Sequence, residues 1–248
     1  IALNQPKQII EQSPILKETT KLKNIKKEAI ISSPSSKPKL AIIFDDVSFS
    51  SDLRSIHKLK FVSTPSFFPP TPRHPRTPFL AKKEKIYMVH LPLEALNYPK
   101  EEDDTLYVND SYARINQRLK SIKRNFPRLK YINNHTGSKF TKDYRAMDYL
   151  IKSFVNNDFV FIDSRTISRT KTKELAKKYG MRFMQRNIFL DHKANVAYIR
   201  NQLRKAVYHA KKYGKAIAIG HPRRHTLEAL SDVADILKDV ECVTIDKI

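Results

Sequence analysis

The chain has 248 residues, 40% of them hydrophobic and 29% charged, which is enough for one large domain or two small ones with a buried core. Its 47 Lys+Arg against 25 Asp+Glu give a formal charge of +22; this points to acidic partners such as nucleic acid, anionic glycan or anionic lipid, although the Lys-, Ile- and Asn-rich usage equally fits an A+T-rich coding sequence. A single cysteine, Cys242, excludes an internal disulfide framework and any Cys-based zinc cluster, and no run approaches the roughly 20 apolar residues of a membrane helix.

Residues 1–38 are rich in Lys, Gln, Ser and Pro, carry only isolated Ile and Leu, and close on Ser-Ser-Pro-Ser-Ser-Lys-Pro. That composition cannot offset its ordering entropy by burial, so the segment is expected to be a flexible basic tether, with a short helix over 22–30 as the alternative. The chain opens at Ile1 rather than Met, which leaves room for a signal peptide or membrane anchor upstream.

From Leu40 onward, short apolar runs alternate with longer amphipathic stretches. The runs are 40–44, 86–89, 129–132, 159–162, 216–219 and 242–245. Their length and β-branched content fit strands of a parallel sheet covered on both faces. Between them, Tyr112, Ile115, Leu119 and Ile122 recur at helical spacing, as do Val196, Ile199, Leu203, Val207 and Ala210,. Asp110 or Ser111 can cap the first helix and Gly214 can stop the second. Strands alternating with helices predict an α/β domain, either open or closed into a barrel. The segment 63–78 holds many of the 14 prolines and is expected to be a long irregular loop.

In parallel α/β sheets, ligands bind beyond the carboxyl ends of the strands, so the residue after each run carries the information. Asp45 and Asp46 follow the first run, His90 the second, and Asn133, Asn134 and His135 the third. Asp163, Ser164 and Arg165 follow the fourth, and Gly220 and His221 the fifth. Singly, an Asp there is a cap and a His a surface residue; five polar ends opening on one crevice point to a site. One Asp with two or three His suits zinc or another divalent transition metal and leaves a position open for water. With two adjacent carboxylates, one can bind the metal while the other accepts a proton from the water it activates, so the constellation describes metal-assisted hydrolysis.

These residues resemble a known family over 39–248. The resemblance rests on Ile43-Phe44-Asp45-Asp46, His90-Leu91-Pro92-Leu93-Glu94, Asn133-Asn134-His135-Thr136-Gly137-Ser138, Phe161-Ile162-Asp163-Ser164-Arg165-Thr166, and Ala216-Ile217-Ala218-Ile219-Gly220-His221-Pro222 followed by Thr226-Leu227-Glu228. They resemble the divergent polysaccharide deacetylases, bacterial envelope proteins with a NodB-like deformed (β/α) barrel. The resemblance implies a divalent metal, most simply zinc, on Asp46, His90 and His135. It also implies a catalytic base at Asp45 and a late catalytic His at His221. Its implied substrate is an acetylated polysaccharide or peptidoglycan-type glycan, and its implied setting is the periplasm or cell envelope.

The sequence departs from ordinary deacetylases where His-x-x-x-His becomes His90…Glu94, and where Val47-Ser48-Phe49 replaces the glycine that commonly follows the paired Asp. Glu94 is thus either a carboxylate ligand or a salt-bridge residue, the latter favoured because Pro92 disrupts regular backbone there. Asp163 with Arg165 either orients a metal-bound His or forms a strand-end ion pair. Asn133 and Asn134 either donate to a substrate carbonyl or make a turn. Phe67, Phe68, Tyr98 and Tyr107 are candidates for stacking on sugar rings. The basic stretches 120–130 and 171–178 fall mainly on helices as solvated faces. Three functions compete: a metal-dependent deacetylase, a catalytically weak glycan-binding protein of the same fold, and a basic nucleic-acid-binding protein. No helix-turn-helix, RNP or zinc-finger pattern supports the third, so no nucleic-acid partner is expected.

Overall fold

A computed structural model describes residues 37–248. The expected tether lies outside the described residues except at its last two positions, which belong to the fold: Lys37 Nζ donates to the Lys238 carbonyl at 2.9 Å and the Pro38 carbonyl accepts from Glu241 N–H at 2.9 Å.

The described elements alternate as read from the sequence. In chain order they are β1 (Lys39–Val47), α1 (Ser50–His57), β2 (Thr64–Phe67), α2 (Thr77–Ala81), β3 (Met88–Leu93), α3 (Tyr112–Asn125), β4 (Tyr131–Thr136), α4 (Tyr144–Asn156), β5 (Val160–Asp163), α5 (Thr172–Lys178), β6 (Met184–Gln185), β7 (Ile188–Phe189), α6 (Val196–Tyr213), β8 (Lys215–Gly220), α7 (Arg224–Leu230), α8 (Ala234–Leu237) and β9 (Glu241–Val243). Ser111 Oγ accepts from Arg114 N–H at the start of α3, and Gly214, at φ 81, ends α6.

Every strand pairing is parallel, in the order β6-β5-β4-β3-β2-β1-β8-β7, with β9 also beside β1. The two ends of this order are adjacent in sequence. Arg186 N–H donates to the Asp163 carbonyl at 2.9 Å and Asn187 N–H to the Ile217 carbonyl at 2.8 Å, so the short link from β6 to β7 bridges β5 to β8. The result is the NodB-like curled (β/α) barrel. Because all strands run the same way, all their carboxyl ends open at one mouth.

Side chains alternate between two apolar layers. Leu40, Ile42 and Phe44 of β1 face the helices with Val89, Leu91, Ile115, Leu119, Phe161 and Leu203. Ala41 and Ile43 face the barrel interior with Met88, Ile162, Ile217 and Ile219. This period of two decides which polar residues can reach the mouth.

Three expectations change. The strands run further toward the mouth than the apolar runs, so Asp45, Asp46, His90, Asn133, Asn134, His135 and Asp163 lie within strands rather than beyond their ends. The proline-rich segment 63–78 contains β2, which pairs with β1 and β3 in the sheet; its Thr-Pro-Ser-Phe sequence hides a strand because proline lacks a ladder donor. The last strand is only Glu241–Val243, because Ile245 begins a short 3₁₀ turn.

Gly137 follows Thr136 (φ 51) at the end of β4 and has φ 90; a Cβ there would meet Leu93 Cβ at 2.9 Å and Asn134 Nδ2 at 3.3 Å. Gly137→Ala is therefore expected to cost about 1–3 kcal/mol, read as a lower denaturation midpoint in urea with unchanged slope.

Candidate metal centre and active site

The inward rows of the barrel end in polar side chains at the mouth. Continuing each row of alternate residues upward gives Asp45 above Ala41 and Ile43, and His90 above Met88. It gives Asn133 and His135 above Tyr131, Ser164 above Val160 and Ile162, and His221 above Ile217 and Ile219. Asp46 breaks the alternation. The β1–β2 register shifts between Phe44 and Val47, and Asp46 has φ 59. This bulge turns a carboxylate that strict alternation would send toward the helices back into the mouth.

Both carboxylates consequently flank one imidazole. His90 Nδ1 lies 3.6 Å from Asp45 Oδ2, and His90 Nε2 lies 3.5 Å from Asp46 Oδ1. His135 Nδ1 is 3.3 Å from the same Asp46 Oδ1. Asp46, His90 and His135 each offer one donor atom, and these atoms all lie within 4.8 Å of one another. Asp46 Oδ1, the oxygen that both imidazoles face, is buried without a hydrogen-bond partner, a state costly enough to point to a missing partner. Two imidazoles and a carboxylate fit a divalent ion of the zinc class.

Phe68, buried, lies over these ligands, its ring centroid 4.9 Å from that of His135 and 5.6 Å from that of His90, and stacks on His74 at 4.4 Å. It shields the cluster instead of standing free for a sugar. Phe67 is also buried, Tyr107 is not among the cleft-lining residues, and Tyr98 stands half-exposed at the rim.

Asp45 is held by Asn133 as well as facing His90. Asn133 Nδ2 donates to both Asp45 oxygens at 2.9 and 3.0 Å, while Asn133 Oδ1 accepts from Ser66 Oγ at 2.6 Å. Asn133 therefore orients the carboxylate and has no donor left for a substrate carbonyl. Asn134 Oδ1 accepts from Ser164 N–H and its Nδ2 donates to the Thr136 carbonyl, so it ties β4 to β5.

Asp163 sits on the helix-facing row. It accepts from Arg165 N–H at 2.7 Å and Thr170 Oγ1 at 2.6 Å, so it neither orients a metal-site His nor pairs with the Arg165 guanidinium. Arg165 itself, at φ 50, lines the cleft. Glu94 accepts from Lys139 Nζ and Val108 N–H, which makes it the salt-bridge residue of the two alternatives.

Asp191 was not apparent from the sequence. His221 Nδ1 is 3.0 Å from Asp191 Oδ1, and Asp191 Oδ2 accepts from His221 N–H at 2.7 Å and Thr226 Oγ1 at 2.8 Å. An ionised carboxylate only accepts, so Nδ1 carries the proton and Nε2 faces the cleft, 3.6 Å from Asp46 Oδ2,. The signal was available: Ile188-Phe189-Leu190-Asp191 repeats the pattern of an apolar run ending in Asp, but β7 is two residues long.

The electrostatics separate the two adjacent carboxyls. Burial pushes Asp45 up to about 7, against the opposing pull of the His221 charge and the Asn133 hydrogen bond. Burial acts the same way on Asp46, but the neighbouring imidazoles of His135, His90 and His221 overcome it and hold Asp46 well below the usual carboxylate range. Burial drops His90 to about 3, leaving it neutral, the form that ligates metal. Burial would also lower His221, but the Asp191 hydrogen bond and the carboxylates of Asp46, Asp191 and Asp45 outweigh it and raise its pKa. These groups line a cleft of about 500 Å³ rimmed by Tyr98, Arg165, Arg186, Phe189, His192 and Arg223.

Residues 42–248 match the sequence model of the divergent polysaccharide deacetylases. The chain belongs to the divergent polysaccharide deacetylase family. It is 31% identical over 208 residues to an uncharacterized Haemophilus influenzae protein, covering 83% of this chain and 74% of that one. An uncharacterized protein from Agrobacterium tumefaciens has the same fold, with a TM-score of 0.74 at 19% identity over 87% of this chain and 90% of that one. A CE4 family pseudoenzyme from Bacillus anthracis matches with a TM-score of 0.51 at 14% identity, over 85% of this chain and 65% of that one.

The raised pKa of Asp45 has a stability consequence with a definite sign. An unfolded Asp titrates near 3.8 and the folded one at about 7, so between those values the folded state binds the extra proton and stability falls as pH rises. In metal-depleted protein, Asp45→Asn is expected to be more stable than the parent at pH 8, by no more than a few kcal/mol, with the difference vanishing near pH 4. Urea denaturation at the two pH values checks this.

Proposed function

We propose that this protein is a metal-dependent hydrolase that removes acetyl groups from an N-acetylated envelope polysaccharide, acting in the periplasm or cell envelope. The supporting observation is the convergence, in one cleft, of an Asp-His-His donor set, a buried second carboxylate and a carboxylate-oriented imidazole. Asp46, His90 and His135 would hold the ion, most simply zinc. Such an ion, when bound, acidifies water to near neutrality and polarises a carbonyl.

The chain's own residues then have distinct tasks. Asp45, kept in place by Asn133, accepts a proton from the attacking water as its oxygen bonds to the acetyl carbon. The carbon–nitrogen bond breaks, His221 delivers its Nε2 proton to the departing amine, and acetate and a free amino sugar result. Asp191 keeps His221 in the tautomer and orientation this requires and raises its pKa, which favours the protonated form that the acid role needs. The second reading, a glycan-binding protein with weak turnover, is motivated by the occurrence of this fold in a CE4 family pseudoenzyme.

Deacetylation of chitooligosaccharides and peptidoglycan fragments by metal-loaded protein tests the proposal. His221→Ala and Asp45→Asn are each expected to lose about 10²–10⁴ in rate while keeping their metal. Asp191→Asn is expected to lower the His221 pKa and so move the alkaline limb of the rate profile to lower pH. Metal-loaded parent protein with no turnover on any substrate would favour the binding reading. Full activity in Asp45→Asn would remove its assigned role.

A further inference from the structure

A second hollow of about 430 Å³ lies beside the mouth, lined by Ser48, Phe49, Arg54, Arg76, Phe79 and Lys83 among others. It starts two residues beyond Asp46, where β1 gives way to α1, and its far wall follows His74, which stacks on the Phe68 that covers the metal-site histidines. It therefore starts beside the candidate active site, its Ser48 Oγ donating to the Asp46 carbonyl at 3.2 Å.

Its chemistry is unlike ordinary surface. Phe49 and Phe79 are 58% and 52% exposed, two aromatic rings standing in solvent across one groove. Three cations surround them, and no carboxylate is among the lining residues. Arg76 and Lys83 lie over the Phe79 ring at 5.5 and 5.0 Å, and Arg54 donates only to Ser50 Oγ. None of the three has a carboxylate within ion-pair distance among the described residues, whereas nearby Arg73 is fully committed to Glu102 and Asp103. Aromatic faces suit the apolar face of a sugar ring. Unpaired guanidinium and ammonium groups suit an anionic substituent on that sugar. The main cleft differs in being lined by Asp45, Asp46 and Asp191 as well as by Arg165, and its Arg223 Nη2 lies 3.5 Å from Asp46 Oδ2.

We propose that this groove is a second glycan subsite and that the chain's polymer is acidic, presenting a carboxylate or phosphate to Arg54, Arg76 and Lys83 while its acetylated unit lies in the metal cleft. This rests on the glycan reading above. A single-stranded nucleic acid would use similar groups, but the groove starts two residues beyond Asp46, beside the cleft to which the glycan reading assigns the acetylated unit, and this favours a sugar polymer.

The test is titration calorimetry of metal-depleted full chain, so that binding is read without turnover. The probes are a tetrasaccharide of alternating N-acetylglucosamine and N-acetylmuramic acid, its carboxyl-reduced counterpart, a phosphate-substituted chitotetraose, plain chitotetraose and an octathymidylate. Anionic glycans are expected to bind about tenfold or more tightly than their neutral counterparts at low salt, with the carboxylate and phosphate arms deciding which anion is preferred. Arg76→Gln with Lys83→Gln should cut that preference severalfold, and Phe49→Ala should weaken both classes. Equal affinity for neutral and anionic glycans, an unaltered preference in the double variant, or octathymidylate binding tighter than every glycan would overturn the proposal. Because chitotetraose turnover by metal-loaded protein is measured separately, failure of this subsite and failure of the deacetylase reading give different results.

Discussion

Strand alternation governs what can reach the mouth of this barrel, and one backbone irregularity overrides it at the position that matters most. Parity alone sends Asp45, His90, Asn133, His135, Ser164 and His221 inward above a floor of Ala41, Ile43, Met88 and Ile219. It would send Asp46 into the helix-facing layer beside Phe44, where an ionised carboxylate has no partner. The bulge between Phe44 and Val47, with Asp46 in the left-handed region, aims two successive carboxylates at one imidazole. Aspartate tolerates that backbone region better than most residues. Thr136 and Arg165, also at positive φ, line the same cleft, so backbone strain gathers where the candidate site is built.

The two carboxylates acquire different characters from their surroundings rather than from their chemistry. Asp45 is sealed in the barrel with an amide as its main partner, and burial favours its neutral form. Asp46 is one residue away but partly open and surrounded by three imidazoles, which keep it ionised. Environments that push neighbouring titratable groups apart separate a base from a ligand. His221 completes the division: Asp191 faces its Nδ1 and Asp46 its Nε2, and the proposed proton delivery uses the Nε2 side.

Much of this arrangement was legible in the sequence because a covered parallel strand is a continuous apolar run, and its first polar residue marks the mouth. Leu40–Phe44 and Ala216–Ile219 announced β1 and β8, and the period of α6 was unmistakable up to Gly214. Proline hid β2: Pro65 sits in a central strand, paired with Phe44, where a missing donor is not expected. Asp163 carried the same strand-end signature as Asp45 yet faces the helices, since an apolar run does not declare its parity. Asp191 was concealed by the brevity of β7, which takes its structure from pairing with β8 rather than from its own residues. The roles of Asn133 and Glu94 depended on partners distant in sequence, Ser66 and Asp45 for one and Lys139 for the other, which spacing along the chain does not reveal.

The central claim is that Asp46, His90 and His135 hold one divalent ion, and metal content measures it most directly. After equilibration with zinc and removal of the excess, the parent and Glu94→Gln are expected to retain about one equivalent per chain, and Asp46→Ala less than about a tenth of that. Parent protein that takes up no divalent ion, or Asp46→Ala that retains a full equivalent, would contradict the account.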